Sequence, residues 1–414
     1  MKTSQSKIKR LKLFSFKLNS LLSITKAINA NLSTNDLLDR YEKILREELN
    51  IGRVLIYKYN YDKEDWEIIL SSGCGDEVNK INMEKDILGH EEIAFVTSSP
   101  NPSLRTFDNI IPVFHNNEPI AFVLIGDIDE ETKGVSPTIK HLHFIQTLSN
   151  IIIVAIENIR LYNESLRQEA LKKELELASR MQSMLIPDKS SLPNNDELFA
   201  TSFYKPHHEV GGDYYDFIRL NEKEVVFCIA DVSGKGISAA LLMSNFQANL
   251  RALIGANSNL EDIMHQLNER VMASAKGEKF ITLFLAKYNY STSTLEYITA
   301  AHNPPILYKA ESDELKFLRK GCLGLGMLDE IPTIEKGIEK FTERTKLLCY
   351  TDGLVEVMDE TKVHYDTEQI KSRLANTERI DKNMATIIRE QSILDEDNTS
   401  IFDDISMIGI EFYP

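Results

Sequence analysis

Apolar residues at Leu21, Leu22, Ile24, Ile28 and Leu32, then at Leu37, Leu38, Tyr41, Ile44 and Leu45, recur mostly every three or four positions, which predicts helix over residues 18–50. Ser33 and Asp36 form an S-x-x-D signal for a fresh helix start after a break. The period then shortens. VLIYKYN and WEIILSSG are β-rich runs around the turn-rich YDKED, and IIPVFHNNEPIAFVLIGD reads as a hairpin about HNNEP. Between them SSPNPS is loop by composition. From Ile139 to about Leu185 the pattern is helical again. Leu166, Ala170, Leu177, Met181 and Met184 form a coiled-coil seam interrupted by Lys173. A helix this long is marginal alone, so the seam predicts a parallel dimer linker. The plainer alternative is one amphipathic helix packed on its own domain.

A polar stretch, DKSSLPNND at 188–196, marks a boundary. Beyond it, a helix is expected from about Ile237, and Ser258 with Glu261 has the form of a capping box for the next one. FITLFLAKYNYSTSTLEYITAAHNPPILYKA reads as consecutive antiparallel strands, and KLLCYTDG and ISMIGIEF add two more. Strands surrounding two central helices give an α+β order, unlike the βαβ alternation of a doubly wound sheet.

Composition narrows the class. With 414 residues and 43% hydrophobic content the chain has material for two or three cored domains. A net charge of -16 argues against broad nucleic-acid binding. Cys74, Cys228, Cys322 and Cys349 form no CxxC and have no metal-ligand spacing with histidine, so they are read as structural thiols of a reducing, cytoplasmic compartment. The longest uninterrupted apolar run considered, Ile151–Ile156, is far short of a membrane span. Residues 1–19 are basic, and the first acid is Asp36. They lack a signal peptide's apolar core and cleavage site, and a solvated helix start is favoured over a membrane-surface helix.

Candidate chemistry lies in the second half. GGDYYD (Asp213, Asp216), ADVSGKG (Asp231), YTDGLVE (Asp352) and FDDIS (Asp403, Asp404) place acids mostly at the ends of apolar β-type runs. A carboxylate at the end of a buried strand is costly unless neutralised. Several converging from distant segments make an oxygen-rich cage suited to Mg²⁺ or Mn²⁺.

Two family resemblances follow. Residues 20–160 resemble a GAF domain in their entry helices, RVLIYKYN, the IIPVFHNNEPIAFVLIGD hairpin and the exit helix FIQTLSNIIIVAIENIRLY. That implies a ligand-binding, dimerising or sensor module. Cys74 is read as a loop cysteine rather than a chromophore anchor, and His90 and His115 as surface residues rather than ligands. GGDYYDF, ADVSGKGISAALLMS, TLFLAKYN, AAHNPP, GLGM, CYTDGLVE and FDDISMIGI occur in the order seen in the PPM family of metal-dependent protein serine/threonine phosphatases, in its bacterial SpoIIE/RsbU branch. ASRMQSMLIP is similar to the switch linker of that branch.

The expected organisation is a basic segment 1–19, a GAF-like α/β sensor domain 20–160, a helical linker 161–187 and a PPM β-sandwich flanked by helices at 188–414. The resemblance implies that two Mn²⁺ or Mg²⁺ ions are held by Asp213, Asp231, Asp352, Asp403 and the backbone carbonyl of Val232, with Asp231 bridging. Asp404 is expected to orient rather than ligate, and Asp216 is a weaker candidate. It further implies hydrolysis of phosphoserine or phosphothreonine on a signalling protein, a STAS-type anti-anti-sigma factor. A homodimer regulated by an unknown GAF ligand or regulatory protein is expected.

The chain also departs from the family. Ser233 stands where many members outside this branch carry a histidine, so the acid for the leaving group is unassigned. Ala301 replaces a usual glycine in AAHNPP. His302 is read as structural, Lys235 as solvent-exposed by default, and GCLGLGM as a mobile flap. Three rival functions are weighed: a non-catalytic GAF-linked dimeric interaction protein, a serine hydrolase using Ser233, and a nucleotide or cyclic-nucleotide phosphodiesterase, whose metal sites would normally recruit histidines. The ordered acids oppose the first, the absence of G-x-S-x-G opposes the second, and the scarcity of histidine near the motifs opposes the third.

Overall fold

The computed structural model describes residues 2–96, 99–126, 137–255, 259–355, 367–390, 393–394 and 403–414. The chain divides into two compact units, Met1–Glu169 and Ala170–Pro414.

In the first unit the expected helix over 18–50 is two helices, α1 (Lys2–Asn29) and α2 (Thr34–Lys43), with α1 starting well before residue 18. The break follows Asn31 in a left-handed conformation, and Ser33 Oγ accepts the Asp36 amide at 3.2 Å. Strands β1 (Arg53–Asn60), β2 (Asp65–Ser72), β3 (Ala94–Phe95), β4 (Asn109–His115) and β5 (Glu118–Gly126) form an antiparallel sheet in the order β2-β1-β5-β4-β3. The hairpin β4–β5 turns on Asn116 and Asn117, both at positive φ, which suits the twist of a tight hairpin. One sheet face buries Ile56, Ile111 and Val123 with helix residues such as Tyr41, Leu148 and Ile152. The other buries Leu55, Ile110, Phe122 and Leu124 with Ile81, Ile87 and Phe107.

Helix α3 (Pro137–Ser183) continues from the first unit into the second. By length and composition it contains a stretch that could cross a membrane, but half of that stretch is buried in the fold. Core residues Ile145, Leu148, Ile152 and Ile156 explain its apolar character. Glu157 on α3 pairs with Lys58 of β1 at 2.9 Å. Past this point the seam residues Leu166, Leu177 and Met181 are exposed.

The second unit contains β6 (Leu198–Lys205), β7 (Tyr214–Arg219), β8 (Glu224–Val232), α4 (Ile237–Leu253), α5 (Leu260–Ala275), β9 (Ile281–Asn289), β10 (Thr294–Ala300), β11 (Ile306–Lys309), β12 (Glu314–Phe317), β13 (Gly321–Cys322), β14 (Gly337–Lys340), β15 (Thr345–Tyr350), α6 (Thr367–Leu374), α7 (Ile380–Glu390) and β16 (Ile405–Phe412). One sheet runs β13-β10-β9-β8-β7 with β14 on β10, and the other runs β12-β11-β15-β16-β6. Phe227, Phe284, Leu347, Cys349, Ile408 and Phe412 fill one continuous core shared by the two sheets. Helices α4 and α5 pack on the first sheet, and α6 and α7 join Leu348, Ile405 and Met407 of the second. The α+β reading holds.

Two local expectations change. Ser258 lies outside the described residues, and Asn259 occupies the N-cap of α5. The glycine-rich segment 321–327 is pinned rather than a free flap. Part of it is β13, paired parallel to β10, and Leu325 and Ile281 exchange both backbone bonds at 2.8 and 2.9 Å.

A buried ammonium organises the outer helices. Lys346 of β15 is fully buried and donates to Leu374 O, Asn376 O, Asn376 Oδ1 and Asn383 Oδ1 at 3.1, 2.9, 3.0 and 2.9 Å. Lys346→Met keeps the apolar stem but strands these acceptors. We expect it to lower unfolding stability by about 2–3 kcal/mol, read as a lower urea midpoint with unchanged far-UV circular dichroism.

Candidate active site

Asp213 immediately precedes β7, and Asp231 is the penultimate residue of β8. The register pairs Tyr214 with Ala230, which brings these two acids side by side. Asp352 follows β15 and Asp403–Asp404 precede β16, the neighbouring strands of the other sheet. The sandwich therefore carries both pairs of strand ends to one place. Thr351 joins them: its hydroxyl donates to Asp213 Oδ2 at 2.8 Å and accepts the Ser406 amide at 2.9 Å.

The electrostatics confirm the grouping. Burial, then the nearby Asp231 and Asp404, push the Asp213 carboxyl well above its usual range. Asp231 is pushed up to about 7, first by burial and then by Asp352, Asp403 and Asp404, while a hydrogen bond shared with Asp213 pulls the other way. Neither Asp213 nor Asp231 is paired with a cationic side chain among the described residues. Asp403 lies nearer solvent and pairs with Lys235 at 3.1 Å.

The donor set suits a hard divalent cation: carboxylate oxygens of like charge, one of them nearly buried, with no protein counter-charge on Asp213 or Asp231. Among the described residues, however, no three His, Cys, Asp or Glu side chains are drawn together tightly enough to hold an ion as they stand. Ligation requires these carboxylates to close up further. The Val232 carbonyl faces the same loop, 2.9 Å from where a Cβ on Gly212 would stand.

That loop is fixed by Gln182, which the sequence did not single out, and by Asp404. Gln182, in the last turn of α3, is buried and grips Gly211 twice: Nε2 donates to Gly211 O at 2.7 Å, and Oε1 accepts Gly211 N at 3.1 Å. Asp404 accepts His207 N at 2.8 Å and Gly212 N at 2.6 Å. A Cβ on Gly211 would collide with the Asp404 carboxyl and the Tyr204 hydroxyl, so only glycine fits there. Thr351 and Gln182 carried no motif signal beyond adjacency to TDG and membership of MQSMLIP.

The remaining candidates have other partners. Asp216 is fully buried and held bidentately by Arg251 at 2.7 and 2.9 Å, with Tyr214 OH also donating to it, which ties α4 to β7. Ser233 Oγ accepts the Phe280 amide at 2.9 Å, which ties the segment after β8 to the start of β9. Ala301 takes a φ of +47, the conformation that glycine would adopt most easily. Buried His302 bonds Thr282 Oγ1 through Nδ1 at 2.8 Å, and burial pulls its pKa down to about 3, which holds the ring in its neutral form.

The raised carboxyl at Asp231 has a consequence for stability. Between about pH 4 and 7 the native state keeps a proton that the unfolded chain has released. Stability contributed here is therefore full below the unfolded pKa and lost as pH rises through the folded one. With EDTA present, the thermal midpoint should fall over that range, and Asp231→Asn should flatten the slope. An unchanged slope would contradict the assignment.

Comparison with known proteins places this half of the chain. Residues 221–413 match the family described as Stage II sporulation protein E (SpoIIE). Phosphoserine phosphatase RsbU of Bacillus subtilis is 28% identical over 194 residues, covering 47% of this chain and 56% of RsbU. Phosphoserine phosphatase RsbP of the same organism is 27% identical over 207 residues, covering 48% of this chain and 49% of RsbP. The chain thus spans about half the length of these curated relatives. The SiaA-PP2C domain of Pseudomonas aeruginosa has a similar fold, with a TM-score of 0.51 and 17% identity over 60% of this chain and 99% of that domain. Residues 221–413 thus resemble the SpoIIE family, and the second unit, with its paired sheets and outer helices, is similar in fold to the SiaA-PP2C domain.

Proposed function

We propose that the chain is a metal-dependent protein serine/threonine phosphatase. One observation carries this reading: acids from four separate segments meet at the joined ends of two sheets, within and beside the SpoIIE-type segment. Asp213, Asp231, Asp352, Asp403 and the Val232 carbonyl would hold a pair of Mn²⁺ or Mg²⁺ ions. When bound, such a pair lowers the pKa of water and stabilises charge on a phosphoryl group. The residues themselves bind and orient. Thr351 fixes one oxygen of Asp213, Asp404 holds the loop before it, and Lys235 balances Asp403.

The substrate proposed is a phosphorylated STAS-type anti-anti-sigma factor, as the SpoIIE/RsbU resemblance implies, and the names of the RsbU and RsbP relatives as phosphoserine phosphatases support the phosphoserine part of that reading. The first unit is read as a GAF-like sensor for an unknown ligand or regulatory protein. The exposed seam of α3 supports a parallel homodimer, and unbonded buried thiols at Cys228 and Cys349 suit a cytoplasmic location. Regulation would pass along α3 to Gln182, whose two hydrogen bonds to Gly211 set the loop that carries Asp213.

Phosphate release from a phosphoserine protein by the full-length chain should require Mn²⁺ or Mg²⁺ and cease with EDTA. Asp231→Asn should lower kcat by about 10³-fold or more while leaving circular dichroism unchanged, and wild-type turnover in this variant would refute the reading. Gln182→Ala should lower kcat by roughly tenfold with little change in KM, the pattern of a lost transition-state arrangement. An unaltered kcat would remove Gln182 from the transmission route.

A further inference from the structure

The motif AAHNPP takes no part in the function proposed above, yet its place in the fold is specific. Residues 301–305 carry the chain from β10 of one sheet to β11 of the other, and they do so at the acid end. Ala300 pairs with Leu283 of β9, whose neighbour Thr282 pairs with Asp231. In the other sheet Ile306 pairs with Leu348. Continued by two residues, that register sets Pro304 opposite Tyr350, which lies two residues before Asp352.

Backbone chemistry leaves a gap at this point. Thr351 N donates to Ser406 O at 3.1 Å, so Thr351 faces β16. Successive residues of a strand direct their backbone groups to opposite sides, which turns the Tyr350 carbonyl toward β11. Pro304 has no N–H to offer it. The ring of His302 fills the place: the Tyr350 backbone lies against it, and Nδ1 shares a 2.8 Å hydrogen bond with Thr282 Oγ1. Nε2 is buried and makes no hydrogen bond among the described residues. A neutral imidazole carries one N–H. With the Thr282 hydroxyl donating to Nδ1, that proton sits on Nε2. An unbonded buried N–H is costly, and here it stands beside a carbonyl that the ladder leaves without a donor.

We propose that His302 is a positioning residue that sets the distance between the sheet carrying Asp213 and Asp231 and the sheet carrying Asp352 and Asp403. As the acids close around divalent cations, Nε2–H bonds the Tyr350 carbonyl, and the ring pins β9 to β15 directly beneath them. This inference rests on the metal-dependent reading above. It accounts for a polar ring in a dry place, and for Ala301 being held at a φ of +47 immediately before it. Phenylalanine would fill the same space but bridge nothing.

The test uses the full-length protein without substrate. With ¹⁵N-labelled histidine, the His302 ring should show the Nε2–H tautomer. Mg²⁺ should move that proton downfield and protect it from exchange. His302→Phe identifies the signal by its loss. It should weaken Mn²⁺ binding, read from the electron paramagnetic resonance of the free ion, by about tenfold, the scale for residues that orient metal ligands, with circular dichroism unchanged. Its turnover of p-nitrophenyl phosphate should recover in excess Mn²⁺, which separates weakened ion binding from lost chemistry. Should His302→Phe fail to fold, Thr282→Val carries the same test, since it frees the ring from β9 and should shift the same signal and weaken Mn²⁺ binding. A ring signal that Mg²⁺ leaves unmoved, or wild-type Mn²⁺ affinity in the folded variant, overturns the inference while the metal site stands. Wild type that binds neither ion refutes the metal-dependent reading, and the role of His302 with it.

Discussion

Carboxyl groups of one sign, crowded at the edge of a dry sandwich, are the constraint on which the second unit depends. Asp213 is almost entirely buried and Asp231 half-buried, with no basic side chain among the described residues to neutralise either. Such a grouping raises the free energy of the folded chain, and the cost is offset by the bonded frame around it. Thr351, Asp404 and the strand pairs β7–β8 and β15–β16 hold the backbone in place while the acids repel one another. Elsewhere in the same unit buried charge is paired, as at Asp216 with Arg251 and Glu411 with Arg344. The uncompensated acids are the exception, and their location at the sheet ends marks the functional edge of the fold.

Rigid and adjustable parts are divided accordingly. The strands that deliver the acids belong to a continuous core with interlocked aromatic residues, including Phe227, Phe284 and Phe412. The loop at 207–213 has no such core of its own and takes its shape from two outside side chains, Gln182 and Asp404. A small displacement of either would move Asp213 without disturbing the sheets. Gln182 belongs to α3, so a helix that begins in the first unit ends against the backbone next to the acids. The proposal of signal transmission along α3 draws its physical content from that pair of hydrogen bonds.

Much of this was legible in the order of residues. The break before Ser33, the strand pair β1–β2, the Asn-rich hairpin and the long helix follow from apolar period, capping residues and turn chemistry, which act over a few positions. The motif order likewise brought Asp213, Asp231, Asp352 and Asp403 forward together. The first turns of α1 are polar and basic, so periodicity registers only from about residue 18 and the basic composition carried the expectation of a solvated helix start before it. The segment 321–327 was misread because glycine indicates freedom locally, whereas the pairing of β13 with β10 and of Leu325 with Ile281 removes it.

The sequence alone determined which residue types were available at strand ends, the α+β alternation and the candidacy of the acids, because each depends on neighbours within a helical turn or a strand. Only the tertiary structure decided which acids face one another. Asp213 and Asp216 are three residues apart in one motif, yet the first joins the acid cluster and the second closes an ion pair with Arg251. The same is true of the grip of Gln182 on Gly211 and the hydroxyl of Thr351 on Asp213, contacts spanning 29 and 138 residues. Bonds of that separation are set by the packing of sheets and helices, and no local pattern encodes them.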